Sequence, residues 1–173
     1  MINNKKGQAF EAYQLLIAFI VATAILGIIL VMVNKTNNQA IIISNQKIED
    51  SFLSAINSPI VSMEKPFAVE DVLVSGIISH AKYEQLGNLE PGCFGFIVGP
   101  GILKESYGVQ IQKKYLKTDV YFVCGKSGMS SRDLTNINIY SEITTGANAP
   151  IPNPDSCEDL FCVMYINKKP AGN

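Results

Sequence analysis

A chain of 173 residues is long enough for one folded domain and an appendage. Charged residues make up only 17% of it, below the usual quarter, and the formal net charge is −1. Because the net charge is close to zero, the composition gives no reason to expect nucleic acid or an anionic lipid surface as a partner.

The first residues form a short polar and basic segment. Lys5 and Lys6 join the α-amino group there, and Gly7 and Gln8 follow them. Positive charge before an apolar helix favours a cytoplasmic location for that end of the helix. The residues that follow Asn34 are therefore expected outside the cell.

The longest uncharged segment runs from Leu15 to Val33, and Thr23 is its only polar residue. A helix of this length spans about 28 Å, which matches the hydrocarbon core of a bilayer. The alternative is the buried core helix of a soluble domain, but such helices rarely contain so long an uncharged run. The sequence therefore predicts a single-pass membrane protein.

The helical pattern continues beyond Asn34 in amphipathic form. Apolar residues recur at helical steps along one stripe, at Ile41, Ile48, Phe52, Ala55 and Ile56. Pro59 cannot continue a helix, so it marks the end. We expect one helix over residues 8–57, with a transmembrane half and a stalk half that packs under a globular head.

Residues 58–173 are predicted to form that head, and most of their pattern is that of short strands. The segment from Phe67 to Glu84 fits a helix or a strand, and we favour a short helix. Turn residues between the strands favour antiparallel pairing. The fold class is α+β: a long N-terminal transmembrane or assembly helix, then an antiparallel β-rich head. The predicted strands are Cys93–Gly99, Tyr107–Gln112, Asp119–Gly125, Asn136–Thr144 and Leu160–Asn167.

The sequence contains no catalytic constellation. Cys124–Ser127 has the ending of a phosphate-binding loop, but Val120 stands where that loop needs a glycine. His80 is the only histidine, so a catalytic triad or a histidine-based metal site would depend on it alone. We expect no enzymatic activity, no cofactor and no metal site.

Four cysteines, Cys93, Cys124, Cys157 and Cys162, all follow the apolar run. An even number on the exported side of a membrane predicts disulfides, and the absence of a Cys-x-x-Cys pair argues against zinc. Four cysteines allow three connectivities. We favour Cys93–Cys124, between two predicted strands, and Cys157–Cys162, which closes a small loop.

The opening segment carries a family resemblance. Lys5, Lys6, Gly7 and Gln8, followed by Glu11 and the apolar run, resemble the class III signal peptide of archaeal type IV pilin-like proteins. The resemblance implies that a prepilin-type peptidase removes residues 1–7 by cutting between Gly7 and Gln8. It also implies that the retained helix assembles with other pilin subunits.

One position departs from the family pattern, in which the glutamate is the fifth mature residue. Cleavage after Gly7 makes Glu11 the fourth, whereas cleavage after Lys6 would make it the fifth and put Gly7 first. The resemblance implies that Glu11 pairs with the new α-amino group of a neighbouring subunit. The alternative is an interfacial glutamate beside the amine of its own chain, where it also favours the positive end of the helix.

The expected function is therefore that of a structural subunit, a pilin or minor pilin, in a surface filament. The alternative is a processed membrane-anchored surface protein that never polymerises and whose head binds a partner. The two differ in whether the apolar helix leaves the membrane.

Overall fold

The computed structural model of the protein describes residues 5–58, 67–126 and 156–170, with side chains from Tyr13 onward. It confirms an α+β fold, in which one long N-terminal helix precedes a domain of mainly antiparallel sheet. In chain order the elements are α1 (Lys5–Asn57), β1 (Phe67–Val74), β2 (Ile77–Ser79), α2 (His80–Gly87), β3 (Phe94–Val98), β4 (Ile102–Glu105), β5 (Gly108–Ile111), β6 (Leu116–Lys126) and β7 (Leu160–Ile166).

Helix α1 is divided between two compact units of the chain. The first unit is Met1–Ala40 and the second is Ile41–Asn173. The helix begins at Lys5, inside the predicted leader, and ends at Asn57, two residues before Pro59. The second unit, called the head below, therefore includes the last part of α1 together with all the strands.

The part of α1 within the head buries the predicted apolar stripe. Ile48, Phe52 and Ala55 are at most 1% exposed, and Ser44 is buried on the same side. Phe52 packs edge-on against the rings of Tyr83 and Phe94, at centroid distances of 5.1 and 5.4 Å. This helix segment is thus a core element of the head, as its periodicity predicts.

The main sheet has four strands in the order β1-β6-β7-β3. The β1–β6 and β6–β7 pairs are antiparallel, but β3 and β7 are parallel. The β3–β7 pair is thus the exception in a head that is otherwise antiparallel, as the turn residues predicted. Parallel neighbours need a long connection, and β3 and β7 are separated by three other strands in sequence.

A smaller antiparallel sheet has the order β2-β5-β4. Its hairpin between β4 and β5 includes Ile102–Glu105, which the sequence pattern did not mark as a strand. The fourth predicted strand, Asn136–Thr144, lies outside the described residues.

The prediction of a short helix in the segment Phe67–Glu84 is wrong for most of that segment. It forms β1 and β2, and only its end, from His80, enters helix α2. A β-bulge between Val69 and Val72 contains Asp71, which has a positive φ of 56°. The extra residue places two buried valines three positions apart, and this spacing imitates a helical period.

Both faces of the four-stranded sheet are buried. Phe122 and Met164 lie in the cluster that includes the end of α1, whereas their strand neighbours Val123 and Val163 lie in a second cluster. Successive side chains of a strand point to opposite faces, so β6 and β7 contribute to both clusters. This explains why their sequences are continuously apolar rather than alternating.

Candidate functional site: an apolar helix surface and a cross-linked head

The first half of α1 presents an apolar surface on every side. A window of 18 residues in the span from Tyr13 has a mean hydropathy of 3.1, and none of it is buried. Leu15 and Phe19 are about 70% exposed, at 72% and 68%. The helix is long and apolar enough to cross a membrane. An apolar surface of this extent is normally covered by lipid or by other protein.

Two threonine hydroxyls of this surface form hydrogen bonds within the helix itself. The Thr23 hydroxyl lies 3.0 and 2.9 Å from the carbonyl oxygens of Phe19 and Ile20 and donates to them. The Thr36 hydroxyl donates to the Met32 carbonyl oxygen at 3.0 Å. An unpaired polar group in hydrocarbon costs several kcal/mol. Because both hydroxyls are paired within the helix, this arrangement suits an apolar environment.

Small residues leave room for another helix to approach. The position where Gly27 would carry a Cβ atom has no neighbouring atom within 4 Å. Ala18, Ala22 and Thr23 add three more small side chains within two to three turns. Helix pairs in membranes approach most closely at such residues.

The predicted processing residues lie at the start of α1. Lys5, Lys6, Gly7, Gln8 and Glu11 are helical in their backbone. Their side chains lie outside the part of the chain that the structure describes. The cleavage bond and the pairing of Glu11 therefore stay predictions.

The disulfides connect Cys93 to Cys157 and Cys124 to Cys162. The predicted pairing, Cys93–Cys124 and Cys157–Cys162, is wrong. Cys124 and Cys162 lie directly opposite each other on the antiparallel strands β6 and β7, with Cα atoms 4.1 Å apart. Closeness in sequence between Cys157 and Cys162 was therefore a poor guide to closeness in space.

Each disulfide lies on a different face of the main sheet. Cys124 and Cys162 are in the cluster with α1, and Cys93 and Cys157 are in the opposite cluster. All four cysteines are oxidised and nearly fully buried. Buried disulfides on both sides of the sheet fit a head that folds in an oxidising, extracellular environment.

His80 has a structural environment at the start of α2. Its Nδ1 lies 2.9 Å from the carbonyl oxygen of Phe94. A carbonyl only accepts, so Nδ1 carries the proton and donates. The ring also packs edge-on against Phe96 at 4.8 Å. These contacts join α2 to β3.

A polar pocket of about 400 Å³ lies on the head beside the β1 bulge. We call it the bulge pocket. Asp71 of β1, residues 117–119 and Tyr121 of β6, and residues 167–169 after β7 line it. Asp71 and Asn167 both have positive φ, at 56° and 55°.

The sequence patterns did not reveal the bulge pocket. Its residues come from three separated segments that only the β1–β6–β7 pairing brings together. A weak signal exists at Asp71 and Asn167, because Asp and Asn adopt left-handed conformations more readily than most residues. Nothing in their neighbourhood would have distinguished them from ordinary turn residues.

No family model matches this chain, and no curated protein or solved structure is significantly similar to it.

Proposed function

We propose that this protein is a structural subunit, a pilin or minor pilin, of an archaeal type IV pilus-like surface filament. One observation carries the proposal: a single helix has an apolar part, of which an 18-residue window is fully exposed, and a second part that contributes to the core of a disulfide-linked head. An isolated soluble protein does not expose such a surface.

The exposed apolar surface of α1 must be shielded from water both before and after assembly. In the membrane the cover is lipid, and in the filament it is the same helix of other subunits. Lipid tails are as apolar as the helix, so the exchange gains little from hydrophobic burial alone. Close packing at small residues such as Gly27 and pairing of polar groups would have to favour the assembled state.

Glu11 supplies such a pairing in this proposal. A carboxylate within a transmembrane helix costs about 3 kcal/mol on insertion scales when it lies at the centre, and less near the interface. Cleavage between Gly7 and Gln8 by a prepilin-type peptidase creates an α-amino group. Contact between this amine and Glu11 of a neighbouring subunit neutralises both charges and fixes the axial register of the subunits.

The head is proposed to face outward. Disulfides persist outside the cytosol, and the basic leader favours a cytoplasmic N terminus. Before assembly the protein would be a single-pass membrane protein with its head outside. After assembly the heads would form the surface of the filament.

Cell fractionation tests the proposal. Cells expressing the chain are sheared, and the released filaments and the membrane pellet are probed separately. We expect the chain in the filament fraction, with a mature N terminus at Gln8 by N-terminal sequencing.

Two results would contradict it. A mature chain that starts at Met1 rejects processing. A processed chain confined to the membrane pellet favours the alternative, an anchored surface protein that does not polymerise and whose head binds a partner.

A further inference from the structure

We propose that the end of the head through which α1 enters binds the surface of an anionic lipid bilayer. We call it the entry end, and it comprises residues 41–44 of α1 and residues 112–117, which lead into β6. The inference rests on the membrane location proposed above for the apolar helix. It holds whether or not the chain polymerises.

Helix α1 and strand β6 cross the head in the same direction. The Ser44 hydroxyl accepts the Leu73 N–H, and Leu73 is the register partner of Lys117 at the start of β6. Two turns later in the helix, Phe52 packs against Phe122, which lies five positions further along β6, at a centroid distance of 5.4 Å. The start of β6 is therefore level with the point where α1 enters the head.

Lysines collect at this end of the head. Lys113 and Lys114 are exposed in the segment between β5 and β6, and no ion pair joins either of them to another residue that the structure describes. Lys117 and Lys168 lie nearby, but each already has an interaction, so neither counts as surplus positive charge. The surplus at the entry end is thus that of Lys113 and Lys114.

Carboxylates collect at the opposite end of the head. Strand β6 ends at Lys126, whose register partner is Leu160, and Glu158 and Asp159 directly precede that partner. The Glu90 carboxylate accepts the Glu158 N–H at 2.9 Å, so it lies at the same end. An anionic surface would attract the entry end and repel these carboxylates. The net charge of −1 therefore conceals a separation of charge along the head.

Exposed apolar side chains accompany the lysines. Ile42 and Ile43 are 57% and 53% exposed beside Ser44, and Tyr115 is exposed directly after Lys114. Tyrosine is enriched at membrane–water interfaces, and lysines beside apolar side chains are typical of surfaces that lie on membranes. A dissolved phosphate ion would leave these apolar side chains in water, whereas a bilayer surface covers them. The combination therefore favours a bilayer.

The chain itself holds the entry end near the membrane. Ile41, the first residue of the head, follows Val33, the last residue of the uncharged run, by eight positions. Eight residues span at most about 28 Å when fully extended. Because this tether raises the effective concentration of lipid at the entry end, a weak attraction is sufficient. Each lysine near an anionic surface strengthens the association about fivefold.

Fluorescence quenching in the full chain tests the inference. The chain has no tryptophan, so Tyr115→Trp introduces a single indole at the entry end. Tyr107→Trp is the matched control, because Tyr107 is similarly exposed, at 48% against 42%, but lies before the opposite end of β5. Both variants are reconstituted in nanodiscs of phosphatidylcholine alone or of an equal mixture with phosphatidylglycerol. A phosphatidylcholine with a spin-labelled headgroup is the quencher.

We expect Tyr115→Trp to be quenched at least twofold more strongly with phosphatidylglycerol than without it. The excess should vanish in about 1 M sodium chloride, where the Debye length is about 3 Å. Tyr107→Trp should be quenched weakly and equally in both lipids.

Two double variants, each added to Tyr115→Trp, locate the attraction. Lys113→Gln with Lys114→Gln should lower the excess quenching at least threefold. Lys82→Gln with Lys126→Gln removes the same number of charges away from the entry end and should leave the excess quenching unchanged. An equal loss in both double variants would show a general effect of charge and would overturn the inference.

The other results are also decisive. Equal quenching of Tyr115→Trp in the two lipids, or equal quenching of the two indoles, overturns the inference. An emission shift of Tyr115→Trp that grows with protein concentration, without quenching by lipid, shows docking of a second copy instead of a bilayer. A chain that separates from the discs during gel filtration rejects the membrane location itself, whereas an incorporated chain without quenching rejects only this inference.

Discussion

The Oγ of Ser44, in helix α1, accepts a hydrogen bond of 3.0 Å from the backbone N–H of Leu73, in strand β1. Ser44 is only 7% exposed, and Leu73 lies just after the bulge in the outer strand of the main sheet. The bond thus joins the last part of α1 to the sheet across 29 positions of sequence. Ser44, a polar residue on the buried side of the helix, therefore has a defined hydrogen-bond partner in β1.

Replacing Ser44 by alanine should destabilise the head. The substitution leaves the Leu73 N–H without its partner in a partly buried position, which costs up to about 1–3 kcal/mol. Ser54→Ala is the matched control, because the Ser54 hydroxyl donates only to the Asp50 carbonyl oxygen on the exposed side of the same helix. Urea unfolding followed by near-ultraviolet circular dichroism measures both. Equal effects of the two substitutions would contradict the role of Ser44.

Phe52 is expected to be the most sensitive position of the helix. It is fully buried and contacts the rings of Tyr83, Phe94 and Phe122. Phe52→Ala should lower the free energy of unfolding by about 3–5 kcal/mol, since it leaves a cavity among three aromatic rings. The neighbouring Leu53 is 36% exposed, and Leu53→Ala should cost far less. A small effect at Phe52 would mean that this helix segment does not pack in the head.

Peptide mapping without reduction should recover the pairs Cys93–Cys157 and Cys124–Cys162. Trypsin alone cannot separate Cys157 from Cys162, because no lysine or arginine lies between them. A second protease that cuts at Glu158 or Asp159 is therefore required. A peptide that links Cys93 to Cys124 would contradict the structure.

Removing either disulfide should destabilise the head strongly. The bonds span 64 and 38 positions of sequence. On the chain-entropy model each bond raises the free energy of the unfolded chain by roughly 4 kcal/mol, because it lowers that chain's conformational entropy. Double Cys→Ser variants of each pair, compared with the parent by urea unfolding, measure the two contributions separately. A variant as stable as the parent would contradict this expectation.

Stability should fall at alkaline pH because of Tyr83. Burial, and then the nearby Glu49 carboxylate, raise the pKa of Tyr83 well above its ordinary value. The folded state therefore keeps a proton that the unfolded state releases above a pH of about 10. Each pH unit beyond that point should remove about 1.4 kcal/mol of stability.

Tyr83→Phe isolates this contribution. The phenyl ring keeps the stacking on Phe94, where the ring centroids are 5.0 Å apart. The difference in unfolding free energy between parent and variant, measured from pH 8 to pH 11.5, should be constant at first and then move in favour of the variant. A difference that stays constant throughout would show that Tyr83 ionises normally.

Glu11→Gln tests the proposed assembly contact. The amide has the same size but no charge, so the attraction to a neighbouring α-amino group is lost. We expect processing to proceed and the amount of chain in sheared filaments to fall at least tenfold. Glu70→Gln, a charge change on the exposed side of β1, is the control. Normal filament yield from Glu11→Gln would reject the pairing.

The pattern of apolar and polar residues was sufficient to predict an element wherever a single physical rule determined that element. The uncharged run from Leu15 to Val33, the stripe of Ile48, Phe52 and Ala55, and the stop before Pro59 each follow from helix geometry and side-chain polarity. The strands from Phe94, Leu116 and Leu160 follow from runs of apolar and β-branched residues. These features are local, so the sequence by itself determined the long helix, its two different halves and the α+β class of the fold.

Only the tertiary structure decided how distant segments meet. The bulge at Asp71 hid a strand behind helical spacing, and the parallel pairing of β3 with β7 depends on their order in the sheet. Cysteine pairing followed from which face of the sheet each sulfur occupies, since strand register sets which side chains lie opposite each other. The bulge pocket likewise exists only where β1, β6 and β7 bring their charged residues together.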